Sequence, residues 1–258
     1  MNQVMDVLLK RKSVRAYEER QISAEVRADI LKATLRAPTA GNLMLYSIVD
    51  VTDQAIKDRL AVTCDNQPFI ARAPMVWLFL ADYQRWHDYF LASGVEEICA
   101  QKKIPMRKPE QGDLFLACCD ALIAAQNAVI AAESFGIGSC YIGDIMEQYE
   151  THKELFNLPQ YTFPICLLVF GYPTQQQKDR EYTSRFDEKF IVFENQYRHL
   201  DKTEFDAMFA ECEQQMPRGK AMQGIANYGQ ATYLRKFAAD FTVEMTRSVR
   251  LMLKEWMK

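Results

Sequence analysis

A short basic cluster near the amino terminus, Arg11-Lys12-Ser13-Val14-Arg15, is the stretch whose residue types most clearly suggest chemistry. Arg11, Ser13 and Arg15 alternate, so in an extended segment their side chains point the same way. Guanidinium and hydroxyl groups in such a row suit an elongated anion with a phosphate at one end. The alternative is a solvated basic face at a helix end, where cations complement the helix dipole. Taken alone, the cluster favours this simpler interpretation.

Two loops of small residues could approach a ligand through their backbone. One is residues 38–42 (P-T-A-G-N), and the other is residues 136–144 (G-I-G-S-C-Y-I-G-D). Small side chains let backbone N–H and C=O groups come close to a flat heterocycle. The alternatives are a plain helix-to-strand connection for the first loop and a capped helix followed by a short strand for the second.

Several familiar catalytic patterns are missing from the sequence. It has no nucleophile elbow and no Walker loop, and its glycines do not fit the dinucleotide-binding spacing. His87, His152 and His199 are isolated from other metal-ligating residues, which predicts surface or capping positions and no metal site. The pair Glu96-Glu97 lies in a polar stretch and is predicted to be solvated.

Composition narrows the class of protein further. The chain has 258 residues, of which 49% are hydrophobic and 25% charged, as in ordinary globular proteins. Its 31 basic and 34 acidic residues give a net charge of −3, so we expect no nucleic-acid partner. The seven cysteines contain no C-x-x-C pair and predict buried, reduced thiols. The amino terminus lacks a signal-peptide core and the longest apolar runs, such as 75–81, are too short for a bilayer, which predicts a cytoplasmic protein without membrane contact.

Hydrophobic periodicity predicts the elements that must position these residues. Helices are expected at 4–10, from Ser23 to Pro38 and from Asp53, and strands at 45–51, 75–81 and 165–170. Residues 83–112 show no clean period and predict an irregular or partly helical excursion. About three strong strands among helices favour an α+β fold with a central sheet over a regular βαβ repeat.

Residues 113–135 form the strongest predicted helix, because they are alanine-rich, lack Gly and Pro, and are followed by Gly136 as a cap. The helix is apolar almost all round, so its own core or a partner subunit must surround it. Asp120, Gln126 and Asn127 would then need hydrogen-bond partners. From Asp201 onward two helices are expected, the last at about 231–257, with a basic loop at 217–220 between them.

Four motifs occur in order along the chain: R-K-S-V-R, A-P-T-A-G-N, N-Q-P-F-I-A-R-A-P and A-A-E-S-F-G-I-G-S-C-Y-I-G. Together they resemble the FMN-dependent nitroreductase family, and the chain is most similar to its NADPH-preferring, oxygen-insensitive nitroreductase and flavin oxidoreductase branch. The resemblance covers about residues 4–200. It implies a mixed central sheet surrounded by helices, and an intertwined homodimer with FMN in each of two clefts between subunits. It further implies one FMN-binding domain over residues 1–258, with the excursion at 83–112 and a helical extension at 200–258.

The resemblance also implies a role for individual residues. Arg11 and Ser13 should hold the FMN phosphate with Lys12 beside them, and Arg15 should reach the ribityl chain and the pyrimidine edge. The remaining expected cofactor residues are Pro38, Thr39, Ala40 and Asn42 along the isoalloxazine, Gln67 at its polar rim, Tyr141, Ile142, Gly143 and Asp144 near N5, and Arg185 at the phosphate. Relatives often have Ser in place of Thr39 and Ala40, Gly in place of Asp144 and a basic residue in place of Thr183.

The implied activity is a ping-pong transfer of two electrons. NADPH or NADH gives a hydride to FMN N5, the nucleotide leaves, and a small nitroaromatic, quinone or flavin acceptor enters the same cleft. The flavin carries the redox chemistry, so no catalytic side chain is expected, and Arg15 gives electrostatic support. Arg218 and Lys220 could meet the NADP 2′-phosphate, the alternative being a disordered basic loop. Two other functions remain open: a dedicated flavin reductase using the same site, and a non-catalytic flavin-binding or storage protein.

Overall fold

The computed structural model describes residues 2–217 and 223–258. The described chain forms two compact units: the first unit is Met1–Arg180 with Glu244–Lys258, and the second unit is Glu181–Val243. Arg218 and Lys220 lie outside the described residues. The interpretation of residues 1–258 as one domain stays a prediction.

The first unit is built on a four-stranded sheet in the order β1-β2-β4-β3. Its strands are β1 (Tyr46–Asp50), β2 (Met75–Asp82), β3 (Gly138–Ile142) and β4 (Thr162–Gly171). All three strand pairs are antiparallel. Among the described residues, the parallel component expected of a mixed sheet is an isolated bridge between Ser13 and Ser139. The three predicted strands are present, and β3 follows the long helix as a fourth.

The first unit contains helices along most of its length, and three of them begin at polar side chains that cap them. They are α1 (Gln3–Lys10), α2 (Ala24–Thr34), α3 (Gln54–Thr63), α4 (Phe69–Arg72), α5 (Gln84–Ala92), α6 (Val95–Lys102), α7 (Gln111–Ser134), α8 (Tyr149–Leu155) and α9 (Gln175–Asp179). The side chains of Asn2, Ser23 and Asp53 accept hydrogen bonds from the first turns of α1, α2 and α3. The excursion at 83–112 therefore contains two helices, which meet at Gly94 in a left-handed conformation (φ 73°).

Both faces of the sheet are buried, which explains why β2 is a continuous apolar run. On one face Trp77, Phe79 and Phe170 pack against the alanines of α7. On the other, Val76, Leu78 and Leu167 pack against residues of α3 and α4. All eight residues of β2 are buried. The alternation of the two sets along β2 follows the period of a strand, and the resulting core confirms the predicted α+β class.

The long helix α7 is a core helix of the first unit. By length and composition alone it could cross a membrane, contrary to the expectation that no apolar stretch is long enough. Ala121, Ala125 and Ala128 are fully buried in the sheet's core cluster, however, and Asp120 is buried as well. Asn127 donates to the carbonyl of Ala33. This placement is compatible with a soluble protein.

The seven cysteines are free, as expected, but they are not all buried. Cys64, Cys140 and Cys166 are buried. Cys119 is exposed because it lies on a face of α7 that this chain leaves uncovered, together with Phe115 at 70% exposure.

The second unit contains short helices, and the predicted continuous helix at 231–257 is wrong at its start. The helices are α10 (Lys202–Met208), α11 (Ala210–Gln214) and α12 (Tyr228–Thr232), which is followed by a wide turn at Tyr233–Phe237. The next helix, α13 (Asp240–Trp256), belongs to the first unit from Glu244 onward. The N–H of Ala238 reaches back five residues to the carbonyl of Tyr233. Such a turn interrupts an α-helix, and Asp240 then begins a new helix with an acidic first turn.

Candidate functional site

The basic segment near the amino terminus lies against the start of β3. The N–H of Val14 donates to the carbonyl of Ser139 at 2.9 Å. A Cβ at Gly138 would overlap the side chain of Val14, and one at Gly171 would overlap the ring of Tyr17. These two glycines therefore let the backbone of residues 11–17 pack closely on the ends of β3 and β4.

This packing gathers a basic group around the buried thiol of Cys140. Arg15, Ser13 and Arg11 all lie close enough to this thiol to lower its pKa, and the thiol itself donates to the carbonyl of Tyr141 at 3.5 Å. Burial still raises the pKa of Cys140, so the thiol stays protonated. Among the described residues no carboxylate lies within ion-pair distance of Arg11 or Arg15. The expected alternation of Arg11, Ser13 and Arg15 therefore produces one cluster of donors.

The segment after β4 completes the basic group. The guanidinium of Arg180 donates to the carbonyl of Ser13 at 2.6 Å. The ammonium of Lys12 donates to the carbonyls of Lys178 and Arg180. Lys12 thus holds this segment in place, and Arg180 adds a guanidinium that sequence reasoning missed. Arg180 and Ser13 are more than 160 residues apart in sequence, so no local motif could predict their contact. We refer to Arg11, Ser13, Arg15 and Arg180 as the basic group.

Two polar side chains at the basic group have an atom without a partner in the described structure. The hydroxyl of Ser139 is fully buried, and so is Oε1 of Glu133 in the last turn of α7. Burial raises the pKa of Glu133 to about 7, and the charge of Arg11 opposes this rise.

A second group forms where the loop between α3 and α4 meets the turn after β3. The amide nitrogen of Gln67 donates to the carbonyl of Cys64 at 2.8 Å and to Oδ2 of Asp144 at 2.9 Å. Asp144 lies in the short helical turn Gly143–Met146. Gln67 and Asp144, which are 77 positions apart in sequence, are therefore in direct contact; their expected roles at a flavin stay predictions.

Carboxyl groups surround this contact. Glu147 is only 4% exposed, and its Oε1 has no partner in the described structure. Burial raises the pKa of Glu147 to about 7, and the neighbouring carboxylates Asp144, Asp65 and Glu244 raise it as well. We refer to these four residues, Asp65, Asp144, Glu147 and Glu244, as the acidic group.

His152 connects the turn that carries Asp144 to α3. The predicted surface position of His152 is wrong. The side chain is fully buried. One ring nitrogen bonds the carbonyl of Ile145 at 2.9 Å and the other bonds the hydroxyl of Thr63 at 2.8 Å. Burial lowers the pKa of His152, which keeps the ring neutral and suited to this bridge. The sequence did not predict this bridge, because His152 stands in no recognisable motif.

The loop that follows α2 is held by Asp120 of α7. The carboxylate accepts hydrogen bonds from the hydroxyl of Thr39, from the N–H of Ala40 at 2.9 Å and from the N–H of Leu45 at 3.1 Å. Asp120 was predicted to need hydrogen-bond partners, and these loop donors supply them. Pro38 and Asn42 lie in the same loop and are exposed. Asn42 adopts a left-handed conformation (φ 58°), which an Asn tolerates better than most residues.

The remaining expected residues occupy different places. The hydroxyl of Tyr141 donates to Gln126 of α7 at 3.3 Å, Ile142 is buried and Gly143 is exposed. Arg185 lies in the second unit, where it donates to the carbonyls of Thr183 and Ser184. Within the first unit, no hydrogen bond or ion pair between described residues joins the loop 38–42 to the basic group, to Gln67 or to residues 141–144.

Comparison with known proteins identifies the family. The sequence profile of the nitroreductase family matches residues 8–172. The oxygen-insensitive NADPH nitroreductase of Salmonella typhimurium is 28% identical over 214 residues, 82% of each chain. The FMN reductase (NADPH) of Bacillus subtilis is 28% identical over 228 residues, 85% of this chain and 87% of that one.

A solved structure agrees with these relatives over nearly the whole chain. Nitroreductase A from Vibrio parahaemolyticus is 27% identical and superposes with a TM-score of 0.79, covering 98% of this chain and 97% of that one. The resemblance carried by the four motifs is confirmed. The chain belongs to the nitroreductase family.

Proposed function

We propose that this chain is an NAD(P)H-dependent FMN oxidoreductase that transfers two electrons to nitroaromatic, quinone or flavin acceptors. The observation that carries the proposal is the basic group: Arg11, Ser13 and Arg15 converge at Cys140 with no carboxylate paired to either arginine in the described structure. An unpaired cluster of guanidinium groups suits a phosphate dianion. The family membership and the names of the two curated relatives support the same cofactor and nucleotide.

The residues present fit a flavin mononucleotide. The basic group and the unpartnered Ser139 hydroxyl supply donors for its phosphate, and Gln67 offers a polar contact for its ring. FMN, when bound, supplies two-electron redox chemistry between NAD(P)H and the acceptor. In this proposal Arg11 and Ser13 bind the phosphate, Lys12 holds the neighbouring backbone, and Arg15 places a positive charge that favours the reduced form.

We further propose that two copies of the chain form each site. The loop 38–42 is firmly held by Asp120 yet exposes Pro38 and Asn42, and it has no bond to the basic group within the described first unit. Apolar side chains on α1 and α7, among them Leu9 at 60% and Phe115 at 70% exposure, favour a covering partner. In the homodimer the loop of one subunit would complete the site of the other. Nucleotide and acceptor would use that site in turn, in the cytoplasm.

The absorption spectrum of the purified protein tests the cofactor. We expect a yellow protein with flavin bands that fade when NADPH is added without oxygen. The double variant Arg11→Ala with Arg15→Ala should lose at least about 90% of the bound flavin, since each charge-assisted contact contributes about 1.5–3 kcal/mol. Arg250→Ala, an exposed arginine on α13, is the matched control and should keep it. A colourless wild-type protein that ignores added FMN would exclude the proposal.

Steady-state kinetics separate the related functions. The curated FMN reductase relative favours free flavin as one acceptor, so NADPH oxidation should be compared with free FMN, a nitroaromatic and a quinone. Exclusive turnover of free FMN would indicate a dedicated flavin reductase, and a yellow protein that oxidises no nucleotide would indicate storage. Sedimentation should give a dimer; a monomer that still binds FMN would contradict the two-subunit site.

A further inference from the structure

The side-chain amide of Gln67 has a fixed orientation in this structure. Its nitrogen donates one hydrogen to the carbonyl of Cys64 and the other to the carboxylate of Asp144. Both partners are acceptors only, so they require the NH2 end of the amide and exclude a flipped side chain. Oε1 of Gln67, which has no hydrogen bond to a described residue, is left as the polar atom available to a ligand.

The partner of Gln67 is itself held in place. The N–H of Glu147 donates to the carbonyl of Asp144 at 3.0 Å, and His152 bridges the carbonyl of Ile145 to Thr63. Asp144 therefore lies in a hydrogen-bonded turn that His152 connects to Thr63 of α3.

Most of the carboxylates around Gln67 form no ion pair with another described residue. No cation of the described residues pairs with Asp144, Asp65 or Glu147. Glu244 pairs with Arg247, which also binds Glu150. The neutral His152, the protonated thiol of Cys64 and the cation of Arg59, which acts on His152, are further titratable groups packed here. Glu147 is buried beside Asp144 with one oxygen that has no partner among the described residues, and burial together with these carboxylates raises the pKa of Glu147 to about 7.

We propose that Asp144, coupled to Glu147, makes Gln67 a pure hydrogen-bond acceptor for the N3–H of bound FMN and lowers the reduction potential of that flavin; this rests on the proposed function. The rim of an oxidised isoalloxazine carries one N–H donor, N3–H, and otherwise acceptors, so only N3–H can satisfy Oε1 of Gln67. A carboxylate beside the ring also disfavours the added negative charge of the reduced form. Asp144 acts through Gln67 and by its charge, and is a positioning residue.

Binding of a methylated cofactor tests the hydrogen bond. Apoprotein is titrated with FMN and with 3-methyl-FMN, which lacks the N3–H, and quenching of flavin fluorescence gives both affinities. Wild-type protein should bind 3-methyl-FMN about thirtyfold more weakly, since an unsatisfied acceptor costs about 1–3 kcal/mol. Asp144→Asn keeps an acceptor for Gln67 and should keep this discrimination. Asp144→Gly frees an amide hydrogen and should reduce it to less than about threefold, as should Gln67→Ala.

The reduction potential tests the charge. The midpoint potential is measured by equilibrium with a reference dye at pH 8. Asp144→Asn should bind reduced relative to oxidised FMN about tenfold more tightly, which raises the potential by about 30 mV for a two-electron couple. Glu147 has a pKa of about 7, so the wild-type potential should fall more steeply with pH above 7, and Glu147→Gln should remove that break.

The outcomes are distinguishable from failure of the proposed function. If wild-type apoprotein binds neither flavin, the proposed function itself fails. If it binds FMN but discriminates as little as Asp144→Gly does, or if Asp144→Asn leaves the potential unchanged, the role of Asp144 is refuted while the flavoenzyme stands. Should Asp144→Gly not fold, Asp144→Asn and Gln67→Ala decide the same two questions.

Discussion

Asp120 and Glu147 are both buried acidic residues of the first unit, with exposed fractions of 2% and 4%, but their surroundings are opposite. Asp120 accepts three hydrogen bonds from the loop that follows α2. Glu147 faces other carboxylates and has an oxygen without a partner in the described part of the chain. Similar burial therefore has two different results. A carboxylate among donors organises a loop, whereas a carboxyl group among carboxylates exchanges a proton near neutral pH.

Removing Asp120 should have the largest effect on stability. In Asp120→Ala the N–H groups of Ala40 and Leu45 lose their partner in a buried place, which should lower the free energy of unfolding by about 4 kcal/mol. Urea denaturation measures the change, and limited proteolysis should cut the loop 38–44. Asp120→Asn keeps one acceptor and should lose about half as much. If the alanine variant matched wild type, Asp120 would not organise this loop.

Removing the charge of Glu147 should raise the free energy of unfolding above neutral pH, whereas removing Asp120 lowers it. Its pKa of about 7 lies above the ordinary 4.5, so the folded state keeps a proton that the unfolded state has lost between these values. Wild-type stability therefore falls as pH rises from 4.5 to 7, and the loss is complete above 7. Glu147→Gln should remove this slope and be more stable at pH 8 by up to about 3 kcal/mol, as measured by urea denaturation from pH 4 to 8.

Glu150 provides a matched control for the direction of the stability change expected in Glu147→Gln. Its two hydrogen bonds from Arg247 lower its pKa to about 2, so it adds stability above pH 4.5 that is lost as pH falls toward 2. Glu150→Gln should therefore be slightly less stable than wild type at pH 8, by less than about 1 kcal/mol because the pair is exposed. If both glutamine variants shifted stability in the same direction, the surroundings of Glu147 would not be the cause.

The same contrast explains which parts of the site could be predicted from sequence. Arg11, Ser13 and Arg15 are neighbours in one motif, and an extended backbone is enough to align them. The family and the use of FMN with NAD(P)H followed from four such local motifs, and the comparisons confirm them. The α+β class followed from the periodicity of strands and helices, and the structure confirms it. The two-subunit site, the ping-pong order and the individual cofactor contacts stay predictions.

Features assembled from distant segments could not be predicted. Arg180 reaches Ser13 across the fold, and the acidic group joins the loop after α3, the turn after β3 and the helix α13. His152 gave no pattern because its partners, Thr63 and Ile145, contribute a hydroxyl and a backbone carbonyl. Long-range packing decides such contacts, whereas periodicity and motif spacing report only local order.

Gly138 tests how closely the basic group depends on backbone packing. A methyl group at this position overlaps Val14, so Gly138→Ala should displace the segment that carries Ser13 and Arg15. We expect a loss of about 2 kcal/mol of stability and at least tenfold weaker FMN binding, from thermal denaturation and fluorescence titration. Gly112→Ala is the control, because nothing lies within 4 Å of its Cβ. Equal FMN affinity in both variants would show that the close approach is not needed.

Glu133 has a raised pKa similar to that of Glu147, but it lies at the basic group instead of the acidic group. Burial raises its pKa to about 7 against the attraction of Arg11, without the carboxylate neighbours that reinforce the shift of Glu147. A phosphate bound at Arg11 would compete for that cation and raise the pKa of Glu133 further, so FMN binding should take up a proton near neutral pH.

Substituting Glu133 should therefore change both affinity and stability. Wild-type protein should bind FMN more weakly at pH 8 than at pH 6, whereas Glu133→Gln should bind about tenfold more tightly than wild type at pH 8. Because the pKa shift of Glu133 resembles that of Glu147, the variant should also gain up to about 3 kcal/mol in unfolding free energy. Glu147→Gln, measured beside it by fluorescence titration, should leave the affinity for oxidised FMN within about threefold of wild type, because that carboxyl lies in the acidic group. Parallel pH profiles for wild type and Glu133→Gln would mean that Glu133 does not sense the phosphate, and the two raised pKa values would then have no separate roles.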